Sequence, residues 1–320
     1  MPATITHAFF AQDVYDQLDS TIQKKIKGEK QVMMFAQNTD PLMFYNILSF
    51  QKGKKIRSLQ STCHQEKTLL LFENIISYMK EKKYYQDPST LTFLYGFITH
   101  YVLDSTIHPY IFYKTGNFDK KRKETHKYNG LHAYMETYID NYFLEKRKIP
   151  LNFHFCFDLI PFSKELTDTI NYSFHQTFQE KDMAKKYYQS LKQMELFLTL
   201  FRKDNLGIKK RIYSLIDCFT PKNTFSFQSL SYHLGDFERF DFLNKKHQTW
   251  VYPVDKERKS KKDIDQLYQE ALVKTKRIIE QIHNYFFLGK NIHLESLLGN
   301  NSYLTGTNCN QINEQKYFEF

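Results

Sequence analysis

The chain has 320 residues, of which 41% are hydrophobic and 17% aromatic, and this content predicts a sizeable folded core and excludes a disordered chain. Its formal net charge of +10 favours anionic partners, which include phosphorylated small molecules, nucleic acid and anionic lipid surfaces. Only 10 Gly and 8 Pro accompany 29 Phe and 23 Tyr, so the turn-dense pattern of a β-sandwich or barrel is missing.

Hydrophobic residues recur at helical spacing through most of the chain, and there is no convincing run with the period of two that strands show. The pattern therefore predicts an all-α fold, a multi-helix bundle. In chain order, the predicted helices span 6–28, 39–50, 65–81, 88–108, 126–146, 163–180, 183–203, 207–217 and 261–287. The charged stretch 252–262, which Pro253 opens, is predicted to be a connection.

Cysteine usage and the ends of the chain bear on the cellular compartment. The four cysteines are far apart and form no CxxC pair, which argues against a disulfide framework and a thiolate zinc site. The sequence shows neither a signal peptide nor a stretch approaching the roughly 20 apolar residues that span a bilayer. We therefore expect a cytoplasmic protein.

The most informative segment is GFITHYVLDSTIHPY at 96–110, in which His100, Asp104 and His108 are spaced four residues apart. Steps of four turn an α-helix by only about 40°, so the three side chains share one face. Pro109 is predicted to end this helix, because a proline disfavours the helical conformation of the residue before it.

A second stripe, formed by His132, Glu136 and Asp140, repeats this spacing in LHAYMETYID at 131–140. Apolar and aromatic residues flank both stripes. Burying such groups is costly unless they bind metal, pair with opposite charges or form hydrogen bonds. Zinc binds imidazole nitrogen and carboxylate oxygen, and two helices of a bundle can present such ligands to one another. The alternative is ordinary His/carboxylate pairing on a solvated helix face, which two stripes within 41 residues make the weaker interpretation.

Five segments together resemble the zinc-dependent phospholipase C family. They are THAFFAQDV near the start, AQNTDPLMFY at 36–45, CHQEKT at 63–68, and the two helical segments just described. The resemblance covers roughly residues 1–150 and continues more faintly through LNKKHQTWVYP at 243–253. It implies an all-α fold with a trinuclear zinc site.

The resemblance also implies a set of metal ligands. His64, His100 and Asp104 correspond to the group around one ion, with Asp104 bridging to a second, and Asp40 corresponds to a zinc neighbour proposed as general base. The complete implied set is His7, Asp40, His64, His100, Asp104, His108, His132 and Glu136. For Asp140 we expect a hydrogen bond to a ligating histidine.

Two departures from the family pattern concern the number of ions. Secreted members begin, after processing, with a tryptophan whose amine and carbonyl bind zinc, whereas this sequence begins Met1-Pro2. The interval from Asp104 to His108 is also tighter than in those members. Two zinc ions are therefore better supported than three, and a third completed by water or by His126 is the alternative.

The implied activity is hydrolysis of a phosphoester by metal-activated hydroxide, with Asp40 orienting or deprotonating the nucleophile. The substrate would be a phospholipid or a soluble phosphodiester, with peripheral contact to an anionic membrane. One alternative is a single-strand nuclease-like zinc hydrolase, although nucleic acid is the less favoured partner. Another is a non-catalytic helical protein with structural zinc.

These observations suggest how the chain is organised. Residues 1–298 are predicted to form a single helical domain, with a metal-binding core at 1–150 and further helices at 151–298. Residues 299–320 are Asn-rich with little periodicity, so a loosely structured tail is predicted there.

Overall fold

The computed structural model describes residues 4–47, 49, 51–153, 156–157, 159–201, 207–219, 241–311 and 313–319. Helices dominate these residues, and the predicted all-α class is confirmed. The helices are α1 (Thr4–Gln17), α2 (Ser20–Gln23), α3 (Glu29–Phe35), α4 (Lys54–Gln65), α5 (Thr68–Lys82), α6 (Pro88–Thr115), α7 (Leu131–Lys146), α8 (Lys164–Phe178), α9 (Met183–Phe201), α10 (Ile208–Phe219), α11 (Ile264–Phe287) and α12 (Leu294–Leu298). Short 3-10 turns span Asp40–Phe44, Tyr84–Gln86 and Lys123–Tyr128, and an antiparallel hairpin pairs β1 (Trp250–Tyr252) with β2 (Asp255–Ser260).

Helix α6 lies at the centre of the bundle. Every residue from Ser89 to Ser105 is buried, so the helix is enclosed on all sides, as expected for one that is apolar around its whole circumference. Helices α1, α3, α7, α8 and α11 pack around it. The polar residues that α6 carries are therefore placed in the interior of the protein.

The prediction that Pro109 ends this helix is wrong, because α6 continues through Pro109 to Thr115. A proline removes one backbone donor, but tertiary packing can hold the helix on both sides of it. The buried side chains of Ile107, Tyr110 and Ile111 supply that packing. The helix ends instead at Gly116, whose φ of +66° few other residues adopt.

Other predicted elements also differ in the structure. The predicted helix 39–50 is the short turn Asp40–Phe44, and a separate helix, α4, precedes the expected start at residue 65. Gly53 has φ +91° at the N-cap of α4, so the backbone reverses there. The predicted connection 252–262 contains strand β2, and the last two residues of the predicted helix 183–203 lie outside the described residues.

The end of the chain is more ordered than a loose tail. Residues 299–311 form turns, a β-bridge joins Asn301 to Asn308, and Tyr303 is only 1% exposed. The backbone N–H of Tyr303 donates to the carbonyl of His64. Periodicity gives no signal for such a segment, because hydrogen bonds and one buried aromatic ring hold it in place. Across the described residues, no helix combines the length and apolar character that a membrane span requires.

Candidate metal centre

The first cluster of candidate ligands comes from three elements around the middle of α6. Asp40 opens the 3-10 turn, His64 lies in the last turn of α4, and His100 and Asp104 are on α6. The His100 Nε2 lies 2.9 Å from Asp104 Oδ2, and the His64 Nε2 lies 3.2 Å from Asp40 Oδ1. Four predicted site residues therefore meet at one point.

Hydrogen bonds orient both imidazoles of this cluster. Nδ1 of His100 donates to the carbonyl of Ala36 at 2.8 Å, and Nδ1 of His64 donates to the carbonyl of Gln60 at 2.9 Å. With Nδ1 protonated, each Nε2 of a neutral ring carries a lone pair. The two Nε2 atoms lie only 3.3 Å apart, so two lone pairs point into the same small space. Such an arrangement suits a cation, and carbonyl bonds of this kind are usual for metal-binding histidines.

A second cluster joins α6 to α7. The carboxylate of Glu136 lies 3.3 Å from His108 Nε2 and 3.2 Å from His132 Nε2. Nδ1 of His108 donates to the carbonyl of Tyr303 at 3.1 Å, which again leaves Nε2 toward the cluster. The two helical stripes predicted from sequence therefore do face each other, and two imidazoles and one carboxylate meet.

The third cluster is smaller. His7 Nε2 lies 3.1 Å from Asp104 Oδ1, and the His7 ring stacks on His100 with centroids 4.0 Å apart. Because His100 has only Nε2 available and this atom faces the first cluster, His7 and one oxygen of Asp104 are the side-chain donors left here. Asp104 thus directs its two oxygens to different clusters, as a bridging carboxylate does.

Electrostatics keeps the three carboxylates ionised. Burial by itself would raise the pKa of Asp40 and Asp104, but the neighbouring imidazoles outweigh it and hold each pKa well below its ordinary value. The pKa of Glu136 is likewise held well below its ordinary value against burial, by the positive charge of the amino terminus and then by His132 and His108. Burial lowers the pKa of His7, and the charge of His100 adds to this effect. For His108, burial opposes protonation, but Asp104 and Glu136 raise its pKa to about 9. The buried charges are therefore mutually compensated.

A close helix crossing places the carbonyl that orients His100. A Cβ atom on Gly96 would lie 2.5 Å from Phe35 Cβ and 2.9 Å from the nitrogen of Ala36, so only glycine lets α3 approach α6 this closely. His100 lies one turn further along α6, and its Nδ1 donates a hydrogen bond to the carbonyl of Ala36. The glycine inside the informative segment thus has a role that spacing did not reveal.

Asp140 differs from its expected role. Its carboxylate accepts bonds from the backbone N–H of Thr6 at 2.7 Å, the Thr6 hydroxyl at 2.6 Å and the backbone N–H of Ile5 at 3.3 Å. It therefore holds the first turn of α1, directly before His7, and it acts through the backbone rather than through an imidazole. A carboxylate at a helix N-terminus is favourable because free N–H donors lie there.

Sequence reasoning missed the contribution of residues 302–306. The carbonyl of Tyr303 accepts from His108, and its ring lies 4.5 Å from that of His64. The hydroxyl of Ser302 donates to the carbonyl of His64. Gly306 lies so close to α6 that a Cβ would come 2.4 Å from the carbonyl oxygen of Ser105. The end of the chain is thus packed against two ligand-bearing helices, and no motif in the sequence indicated it.

Two of the eight residues are more open to solvent than the others. The side chain of Asp40 is 15% exposed and that of His132 is 29% exposed, whereas His100 is fully buried. His126, the alternative ligand for a third ion, contacts the carbonyl of Lys120 through Nε2 and belongs to none of the three clusters. The openings of the centre are therefore at Asp40 and at His132.

A family model described as zinc dependent phospholipase C matches residues 6–203, which include all eight candidate ligands. The chain belongs to this family. The family is zinc-dependent, and the buried His, Asp and Glu clusters provide groups that could bind such an ion. No curated protein and no solved structure shows significant similarity to the chain. The match ends before α10, so α10, the hairpin, α11 and the ordered end of the chain lie outside it.

Proposed function

We propose that the protein is a zinc-dependent phosphodiesterase that binds two zinc ions through residues of the predicted ligand set, and that its substrate is a phospholipid. One observation carries this proposal: the Nε2 atoms of His64 and His100 converge to 3.3 Å while both Nδ1 atoms are engaged by backbone carbonyls. Membership of a zinc-dependent phospholipase C family supports it, since the family description specifies both the metal and a phosphoester substrate.

The donor sets fit two zinc ions well. Asp40, His64 and His100 would hold one ion, with Asp104 as a fourth ligand through the oxygen that contacts His100 and His64. The cluster of His108, His132 and Glu136 would hold another ion with three protein ligands. Zinc bound there supplies Lewis acidity, which lowers the pKa of a bound water from about 16 toward about 7 and neutralises charge on phosphoryl oxygens. A third ion would have only His7 and Asp104 as side-chain ligands among the described residues, so we propose two bound zinc ions.

Asp40 is placed to orient the attacking water. Its side chain is the most exposed of the first cluster, and the amide of Gln60 donates to Oδ1 at 2.8 Å, which fixes the carboxylate plane. Its pKa is held well below the ordinary value by His100 and His64 against the effect of burial, so it is ionised and a weak base. We therefore assign it the acceptance of a hydrogen bond from water rather than net removal of a proton at neutral pH.

A centre with solvent-facing ligands favours catalysis over a structural role. Structural zinc sites are closed by four protein ligands, whereas catalytic sites keep one position for water or substrate. Among the residues that the structure describes, the cluster of α6 and α7 has three ligands, one fewer than a closed tetrahedral site needs, and one of them, His132, is 29% exposed. Cytoplasmic location and a single domain spanning 1–298 stay predictions of the sequence.

Parallel hydrolysis assays test the proposal. The zinc-loaded protein is given phosphatidylcholine in mixed micelles, a soluble bis-aryl phosphodiester, and single-stranded DNA, with product release followed for each. We expect turnover of the lipid and of the soluble diester. Asp40→Asn should lower kcat by about 10²-fold or more while the protein still takes up zinc, because orientation of the nucleophile is lost.

The matched control is Asp119→Asn, which changes an aspartate in the loop between α6 and α7, outside the three clusters. It should leave all three rates unchanged. Preferential cleavage of DNA would support the nuclease alternative. Full zinc occupancy without hydrolysis of any substrate would support the structural alternative and contradict our proposal.

A further inference from the structure

Helix α10 carries an apolar stripe that faces solvent. Its members recur at i, i+4, i+7, i+8 and i+11, which places them within about 100° on one side of an α-helix. They are Ile208, Ile212, Leu215, Ile216 and Phe219. Their exposed fractions run from 38% to 83%, and no residue of α10 is buried. Large exposed aliphatic and aromatic groups are costly in water and mark an interaction surface.

The end of α9 extends this apolar region. Leu196 and Leu200 are 61% and 49% exposed and lie one helical turn apart. Together with the stripe they make seven of the twelve large hydrophobic side chains exposed in the described part of the chain. The concentration within 196–219 distinguishes this region from the scattered exposed residues that any protein surface has.

The opposite side of α10 is the one that contacts the protein. The Tyr213 hydroxyl donates to the carbonyl of Leu200, and its ring lies 5.2 Å from that of Phe201. On the helix, Tyr213 is about 120° away from the centre of the apolar stripe. The stripe is therefore turned outward by a specific packing contact.

Basic residues flank the stripe on both sides. Lys209 and Arg211 fall about 80° to either side of its centre on a helical projection, and the Nζ of Lys209 also donates to the carbonyl of Thr199. The chain as a whole carries a formal charge of +10. An apolar face bordered by Lys and Arg is typical of helices that lie in the headgroup region of a bilayer with anionic lipids.

We propose that α10 is a membrane-docking helix that inserts its apolar stripe into the surface of an anionic phospholipid bilayer. The inference deepens the proposed function and rests on it for the identity of the lipid as substrate. It does not derive from the family match, which ends at residue 203, before α10 begins. Docking would bring a lipid-hydrolysing centre to the surface where its substrate lies.

Vesicle co-sedimentation of the full chain tests the proposal. Vesicles are made of phosphatidylcholine alone or with phosphatidylglycerol, and the partition coefficient is measured at low and high salt. We expect binding to the anionic vesicles that weakens with salt. Replacing Leu215 and Phe219 by Ser should lower the partition coefficient at least about tenfold, since each buried side chain of this size contributes more than one tenfold step.

The control replaces two equally exposed apolar residues elsewhere, Val273→Ser with Leu288→Ser, which are 68% and 64% exposed. Its partition coefficient should equal that of the wild type. Arg211→Glu should reduce binding to the anionic vesicles and leave binding to the phosphatidylcholine vesicles unchanged. Equal binding by all variants, or no binding by the wild type, would overturn the proposal. So would sedimentation equilibrium showing that the stripe instead joins two copies of the chain.

Activity distinguishes this inference from the function on which it rests. The Leu215→Ser, Phe219→Ser variant should hydrolyse the soluble diester at the wild-type rate and vesicle lipid at least about tenfold more slowly. If the wild type binds vesicles through α10 but hydrolyses no phosphoester, the proposed function fails and the docking assignment stands. If the wild type hydrolyses the soluble diester but does not bind vesicles, the docking assignment fails and the proposed function stands.

Discussion

The candidate metal centre is built by two regions that contribute in different ways. Helices α1, α4, α6 and α7, with the turn at Asp40, provide every candidate ligand as a side chain. Residues 299–311 provide no ligand, yet Ser302 and Tyr303 engage the backbone of His64 and the ring of His108. The first region shows its chemistry in its residue types, whereas the second acts largely through its main chain. A segment with no recognisable motif can therefore position the side chains of a site.

The largest expected effect is loss of a ligand from the first region. His100→Ala removes the imidazole whose Nε2 lies 2.9 Å from Asp104, and Asp104→Asn removes the carboxylate that faces two clusters. Both variants should lose the zinc ion of the first cluster and hydrolysis together, which elemental analysis and the diester assay measure. His126→Ala, outside the clusters, should keep both. Retention of all zinc by both ligand variants would show that these residues are not ligands.

Tyr303→Ala should produce the largest effect that the second region can have. The side chain is 1% exposed and packs against the rings of His64, His100 and Tyr101, so truncation should cost about 3–5 kcal/mol of folding free energy. Denaturant unfolding measures this cost, and zinc titration should show weaker binding because the rings of His64 and His100 lose the packing of the Tyr303 ring.

Tyr303→Phe separates the ring from the hydroxyl, which accepts only one long bond, 3.3 Å, from Asn38. It should restore most of the stability and the zinc affinity. Tyr317→Ala, at a tyrosine that is 37% exposed, is the control and should have little effect. An unchanged zinc affinity in Tyr303→Ala would mean that the two regions are independent.

Gly306→Ala tests the close contact with α6. The new Cβ would lie 2.4 Å from the Ser105 carbonyl oxygen, and φ is +63°. Gly289→Ala is the matched control, because its φ of +66° is nearly the same and no atom lies within 4 Å of the Cβ. Each should lose about 1–2 kcal/mol from the left-handed backbone conformation. Gly306→Ala should lose more unfolding free energy than this and should also bind zinc more weakly. Equal losses of unfolding free energy in the two variants would show that the contact between Gly306 and Ser105 does not stabilise the protein.

The smallest effect is expected for Asp140→Asn within the first region. The asparagine can still accept from Thr6, but it loses the charge that favours its bonds to the N-terminus of α1. We expect a loss of about 1 kcal/mol in unfolding free energy, with both well-formed zinc clusters intact. Abolished zinc binding in this variant would indicate that Asp140 acts on the ligands more directly than its hydrogen bonds suggest.

The two helical stripes were predictable because their ligand spacing is local in sequence, whereas His7, Asp40 and His64 were implied only by the family resemblance. His100, Asp104 and His108 lie on one helix face by spacing alone, and the structure places them as that spacing requires. Helix α4 was detectable in principle, since Ile56, Leu59 and Cys63 recur at i, i+3 and i+7, but its many charged and polar residues obscured that pattern.

Other features could not follow from the sequence, because they depend on tertiary contacts. The helix passes through Pro109 since packing holds both of its sides, and Gly96 is needed only because α3 crosses there. The order of residues 299–311 rests on hydrogen bonds to His64 and His108, which are far away in sequence. Local sequence propensity depends on neighbouring residues, so it does not predict contacts with residues that are far away in sequence.

Anomalous scattering from a crystal grown with zinc tests the central claim most directly. Data collected above and below the zinc absorption edge locate and count the ions independently of any assumed ligand. We predict one ion among Asp40, His64, His100 and Asp104, and another among His108, His132 and Glu136. Anomalous peaks elsewhere in the protein, or a centre that stays empty at saturating zinc, would contradict it.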